Sequence, residues 1–136
     1  MNVSANFAQV MSLIHVQNRV SVLVKKTQNS GILSWDAKDP RFLTLLNIPK
    51  SDSLVIGDTI LTGKYSLSFP PGHIVGTVAQ IIPDNSTNFY VLRIKTAANF
   101  SDLQQVMVVE NLQYNELNQL NKETEKRVEE AKKTNR

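Results

Sequence analysis

Two histidines, no cysteine and six scattered aspartates bound the chemistry open to these 136 residues. His15 and His73 are the side chains whose ordinary charge changes near neutral pH, which makes them the candidates for proton transfer. Each also has a plain structural role open to it, since His15 ends an expected strand and His73 follows a Pro-Pro-Gly turn. A nucleophilic serine needs a strained setting such as Gly-x-Ser-x-Gly, and the sequence contains none; Ser66 and Ser68 flank a loop. Without cysteine there is no disulfide, thiolate nucleophile or thiolate metal ligand. Two isolated histidines give no metal-ligand spacing, and glycines at positions 31, 57, 63, 72 and 76 spell neither a dinucleotide fingerprint nor a phosphate loop. Asp36, Asp39, Asp52 and Asp58 suit turns, where a carboxylate bonds nearby amides. Carboxylate pairs for sugar hydrolysis converge only in space, so sequence spacing does not speak to them. The expectation is no catalytic residue, no metal site and no cofactor.

Aromatic residues offer a different chemistry, that of gripping. Tyr65, Phe69, Phe89 and Tyr90 are the candidates, and three of the four lie in or beside turns, where aromatics serve as core plugs or as partner anchors. Tyr65, between Lys64 and Ser66, is the best surface candidate.

The elements that must position these residues are short strands. All Gly and Pro residues fall between Gly31 and Pro83, a turn-rich centre flanked by stretches with neither. Residues 19–26 alternate with Val20, Val22 and Val24 on one side, the period of a strand with one buried face. Residues 10–16 read as its predecessor, with a helix as the alternative. Residues 31–35 and 42–48 form a hairpin across Asp36 to Pro40, and Pro49 ends the second strand because proline cannot donate to the ladder. Further strands are expected over 59–62, 74–82, 89–96 and 106–110, with turns at Val55-Ile56-Gly57-Asp58 and Phe69-Pro70-Pro71-Gly72 leading into two of them. Eight short strands predict an all-β fold, a small antiparallel barrel or sandwich. Residues 2–111 would be that β domain. From 112 to 136 the spacing turns helical through Leu117, Leu120, Thr124, Val128 and Ala131, predicting a charged tail that docks over 112–120 and frays beyond Lys122.

Composition excludes several classes. Apolar types make up 41% of the chain and charged types 20%, near the globular average. The longest apolar runs are four residues, against the ~18 of a membrane-spanning helix. The N-terminus lacks a basic start and an apolar stretch, so any export signal would lie outside this sequence. The net charge is +3, but six Lys/Arg and four Glu lie in 121–136, leaving nine basic and eight acidic residues in 1–120. A nearly neutral body with only Lys25-Lys26 adjacent argues against a nucleic-acid-binding barrel, an alternative that would require a continuous cationic face and affinity falling steeply with salt.

Several runs resemble a known family. Asn18-Arg19-Val20-Ser21-Val22, Gly31-Ile32-Leu33-Ser34-Trp35-Asp36 and Leu45-Leu46-Asn47-Ile48-Pro49, then Val55-Ile56-Gly57-Asp58-Thr59 with Phe69-Pro70-Pro71-Gly72-His73-Ile74-Val75-Gly76, are similar to the extracytoplasmic region of MreC, the rod-shape-determining protein family. Phe89 and Val106 to Val109 fit the same register, and Trp35 to Arg41 looks most like MreC of Bacteroidetes-type bacteria. In place of the family's Thr-Ser-Gly before the Phe-Pro loop, this chain has Thr62-Gly63-Lys64-Tyr65.

The resemblance implies a trypsin-like barrel topology without catalytic residues. It also implies that Met1 is an added start, with any first barrel missing strands and leaving an open sheet edge. It further implies a non-enzymatic scaffold, periplasmic and held to the inner membrane by an N-terminal anchor missing here. The implied partners are a class B penicillin-binding protein transpeptidase, RodA, MreD and MreB, together with self-association. On this view Tyr65, Phe69, Phe89 and Tyr90 meet the partner, while Gly57, Asp58, Pro70, Gly72 and Gly76 shape turns. A trypsin-like or glycan-cleaving hydrolase is the alternative.

Overall fold

Alternation decides the architecture. In the computed structural model, which describes residues 4–7, 10, 12–65, 69–110, 112 and 114–135, Val20, Val22 and Val24 of β1 (Val20–Val24) all face inward and are buried. β2 (Ser30–Ser34), β4 (Thr59–Thr62) and β6 (Phe89–Thr96) follow the same rule, while β3 (Phe42–Pro49) and β5 (Ile74–Pro83) skip a residue between inward positions, from Leu45 to Ile48 and from Val75 to Val78. Their inward residues Leu33, Leu43, Leu45, Ile48, Ile60, Val75, Val78, Leu92 and Ile94 complete one core. Each fully buried aliphatic side chain contributes about 1.5–3 kcal/mol by leaving water, so this interior is the main source of stability.

All neighbouring strands are antiparallel, and the order β1-β2-β3-β6-β5-β4 closes into a barrel because β1 pairs with β4, Leu23 opposite Leu61. Register shifts mark bulges in β3 between Leu45 and Ile48, in β4–β5 and in β5–β6. The β3 bulge carries Asn47 at φ 68°, a left-handed conformation that asparagine tolerates better than a branched residue. Bulges bend and twist a strand locally, which helps a small sheet to close.

Six strands, not eight, form among the described residues. Residues 10–16, expected as a strand, form none where they are described, with turns at 13–14 and 16, and 106–110 form no strand. A sheet closed by β1–β4 pairing has no free edge for a further strand to join.

Chain contacts divide the molecule into two compact units, Met1–Gln105 and Val106–Arg136. In the second, α1 (Tyr114–Thr134) runs for 21 residues, past Lys122 where fraying was expected. No Gly or Pro interrupts it, Glu116 lies in its first turn and Lys132 and Lys133 in its last, as the helix dipole favours. Lys133 pairs with Glu129 at 3.4 Å. No described helix is long and apolar enough to cross a membrane.

Candidate functional site

Where the chain passes from β4 to β5, residues 70–73 are tied to the barrel by a threonine. In β4 the inward positions are Ile60 and Thr62, and Thr62 is 6% exposed. A hydroxyl buried there needs partners. Its Oγ1 donates to the Pro70 carbonyl and accepts the His73 amide at 2.9 Å. The Thr62 amide donates to the His73 carbonyl at 2.8 Å, and its carbonyl accepts the Gly72 amide at 3.0 Å. Four hydrogen bonds from one residue thus hold the Pro-Pro-Gly turn. Gly72 takes φ 86° within it, a left-handed backbone that costs glycine little. Sequence reasoning missed Thr62. The signal was present: period two places it one step after Ile60 on the core face, where a polar residue demands partners.

Phe69 follows from this clamp, since it packs against the core cluster from outside the strands. Tyr65, four residues earlier, is 84% exposed. It rims a hollow of about 120 Å³ on the outside of β1 and β2 with Leu23, Gln28, Ser30, Gly63 and Lys64. Gly63 is pinned there by its amide, which donates to the Ser21 carbonyl at 2.9 Å. Ser66 and Ser68 lie outside the described residues.

Phe89 and Tyr90 belong to the opposite end of the barrel. The loop 63–73 leads into β5, whose beginning pairs with the end of β6, Gly76 with Thr96. Phe89 and Tyr90 begin β6, opposite Pro49, Ile48 and Pro83. Phe89 is 44% exposed and Tyr90 packs on the core. The turn before them is set by Asp84, whose Oδ1 accepts the Ser86 hydroxyl at 2.6 Å and the Ser86 amide at 2.9 Å; these bonds hold the Asp84 carboxyl below its ordinary pKa. The four aromatics therefore do not converge on one site. Of the turn residues, Gly57 takes φ 98° and Asp58 Oδ2 accepts the Val55 amide at 2.9 Å.

The two histidines stay apart in role. His15 is half-buried and its Nδ1 accepts the Gln17 amide at 3.2 Å. His73 is exposed and is held through its backbone. Among the described residues no three of His, Cys, Asp or Glu gather as metal ligands would. What the arrangement can do chemically is present an exposed phenol at Tyr65 and, beyond it in sequence, a Pro-Pro-Gly turn held to the barrel by Thr62.

Residues 1–110 match the family model described as rod shape-determining protein MreC, barrel core. A curated relative, the cell shape-determining protein MreC of Listeria monocytogenes, is 28% identical over 102 residues, covering 74% of this chain and 35% of the relative. The chain thus spans about a third of that relative's length. A solved structure of MreC superposes with a TM-score of 0.61 at 24% identity, over 66% of this chain and 51% of that one. MreC in the complex between penicillin-binding protein PBP2 and MreC from Helicobacter pylori gives 0.56 at 24% identity, over 66% and 54%. At such identities these two structures speak for the fold.

Proposed function

The chain belongs to the MreC family, whose barrel core it carries in residues 1–110, and from that premise we propose that it is a non-enzymatic scaffold of the bacterial cell-elongation machinery, binding and activating a class B penicillin-binding protein transpeptidase. The observation that carries the reading is the pairing of Tyr65, 84% exposed, with a loop whose backbone Thr62 ties into the barrel. A scaffold acts by binding one conformation of an enzyme better than another, and it shifts the population by no more than that difference. Such binding needs a few anchors on a platform that loses little entropy on docking. A strand barrel with a stapled loop meets that need, and reacting groups are not required.

The complex of PBP2 with MreC from Helicobacter pylori supports a transpeptidase as partner. RodA, MreD, MreB and further copies of this chain complete the proposed assembly, and a periplasmic location with a membrane anchor outside this sequence goes with it. Phe69 acts here as the plug that seats the loop, Phe89 and Tyr90 as a second, weaker contact at the other barrel end.

Titration of the cognate transpeptidase against the chain and its Tyr65→Ala variant tests the reading. The expected result is capture by the parent chain and a loss of about 1–2 kcal/mol, roughly tenfold, in the variant at unchanged melting temperature. Equal affinity of both would remove Tyr65 as an anchor, and no capture at all would remove the transpeptidase.

A further inference from the structure

The side of the barrel opposite β1 carries cations that the loop reading leaves unused. β3, β5 and β6 contain no acidic residue. Leu92 and Ile94 face the core, so Arg93 and Lys95 project outward. Register sets Arg93 between Thr44 and Gln80, and Lys95 between Phe42 and Thr77. The Arg93 guanidinium lies 5.1 Å from the centre of the Phe42 ring and that of Arg41 5.8 Å, an aromatic contact that orients a cation while leaving its donors available. Arg41 pairs with Asp39 at 2.7 Å. Among the described residues neither Arg93 nor Lys95 makes a direct ion pair; Asp39, held by Arg41, feels Arg93 only as a minor, longer-range attraction.

We propose that this wall docks an acidic, extended segment of a protein partner, one that presents carboxylates on alternate residues. Arg93 and Lys95 are two residues apart on one strand, about 6.6–6.8 Å along it, which is the spacing of side chains on one face of any extended peptide. The wall already demonstrates its ligand chemistry once: Arg41 grips Asp39 through two parallel bonds, Nε to Oδ1 at 3.0 Å and Nη2 to Oδ2 at 2.7 Å, the fork that suits a carboxylate. The hydroxyls of Thr44 and Thr77 and the Gln80 amide lie in the same rows and supply neutral donors. A membrane surface is recognised by clusters of about four to eight cations, more than this wall holds. Single-stranded nucleic acid needs aromatic faces free for stacking, and the one ring here carries guanidinium groups.

The test is fluorescence anisotropy of a labelled peptide of alternating glutamate and valine, titrated with the full chain at low and at high salt. We expect saturable binding that weakens with salt and falls at least about tenfold in the Arg93→Glu, Lys95→Glu double variant. A double glutamine variant checked by thermal melting separates lost charge from lost fold, and should weaken binding at unchanged melting temperature. No binding, equal affinity of the double variants, equal binding of a lysine–valine peptide, or tighter binding to phosphatidylglycerol vesicles than to the peptide would each overturn the proposal. The peptide titration contains no transpeptidase, and its variants leave Tyr65, Phe89 and Tyr90 of the proposed transpeptidase contact unchanged, so its failure is distinguishable from a failure of transpeptidase capture.

Discussion

A methyl group placed on Gly76 would lie 2.0 Å from the carbonyl oxygen of Lys95, so strands β5 and β6 pass each other at a distance that only glycine allows. The same methyl would stand 3.0 Å from Ile94 Cγ2. Both obstacles belong to the barrel wall, and the first is backbone, which cannot turn aside as a side chain can.

Gly76→Ala should therefore part β5 from β6 next to the point where the loop 63–73 enters the barrel. Overpacking of this kind costs about 1–3 kcal/mol and occasionally more, and a backbone clash belongs at the upper end. For a domain of this size, that lowers the melting temperature by roughly 10–20 °C. Thermal unfolding followed by circular dichroism reads it directly, and an unshifted midpoint would mean that the strands can separate freely.

Phe69→Ala removes an aromatic ring that packs on the core from the loop side. Full burial of phenylalanine is worth about 3–5 kcal/mol on truncation; partial burial brings the expected loss to about 2 kcal/mol. Chemical denaturation should show a lower midpoint with little change in slope, since the barrel itself stays intact. No change in midpoint would place the ring in solvent.

Much of this arrangement could be read from the residues alone, and the reason is periodicity. Strands β1 and β6 alternate so regularly that Val20, Val22 and Val24, or Leu92 and Ile94, could only face one way. Prolines and glycines located the turns for the same local reason. Residues 10–16 and 106–110 misled because an apolar stretch of high strand propensity states a preference, whereas a strand exists only with a neighbour, and a closed barrel offers none. The helix outlasted its expected end because no Gly or Pro interrupts 114–134 and its second half is dominated by the helix formers Glu, Lys, Arg and Ala, whereas the thin apolar stripe that argued for fraying speaks to docking. The site was harder. Exposure of Tyr65 followed from its polar neighbours, but that Tyr65 and Tyr90 sit at different places depends on strand order, which no local pattern contains. Thr62 acts through Pro70 and His73, 8 and 11 positions away, and Gly76 through Lys95, 19 positions away.

Asp39 contributes to the acid side of stability, as Asp84 does. Hydrogen bonds from the Arg41 side chain, and then from the Arg41 amide, hold its carboxyl at about 2, against 3.8 for an unperturbed aspartate. A group whose pKa is depressed by folding stabilises the native state wherever it is ionised, so its contribution is complete above pH 3.8 and fades as pH falls toward 2. Asp39→Asn should flatten the fall in melting temperature over that interval and leave the neutral-pH side of the profile shallow. A variant whose acid limb follows the parent's would show that Arg41 gains nothing from the charge.

Thr62→Val keeps the shape of the side chain and deletes its hydroxyl, leaving the Pro70 carbonyl and the His73 amide without the partner they share. Stranding buried polar groups costs about 1–3 kcal/mol. The remaining backbone bonds between Thr62 and His73, and between Gly72 and Thr62, keep the strands joined, so the damage is local: the Pro-Pro-Gly turn loosens while the barrel persists. Amide hydrogen exchange should therefore accelerate at Gly72 and His73 well beyond any change at Val22 or Leu92. If Tyr65 anchors a partner, the looser loop must also be ordered on docking, and affinity falls although the tyrosine is untouched, because that entropy is lost at binding instead of at folding. Faster exchange at Gly72 and His73 with unaltered partner affinity would separate the clamp from recognition and assign Thr62 to folding alone.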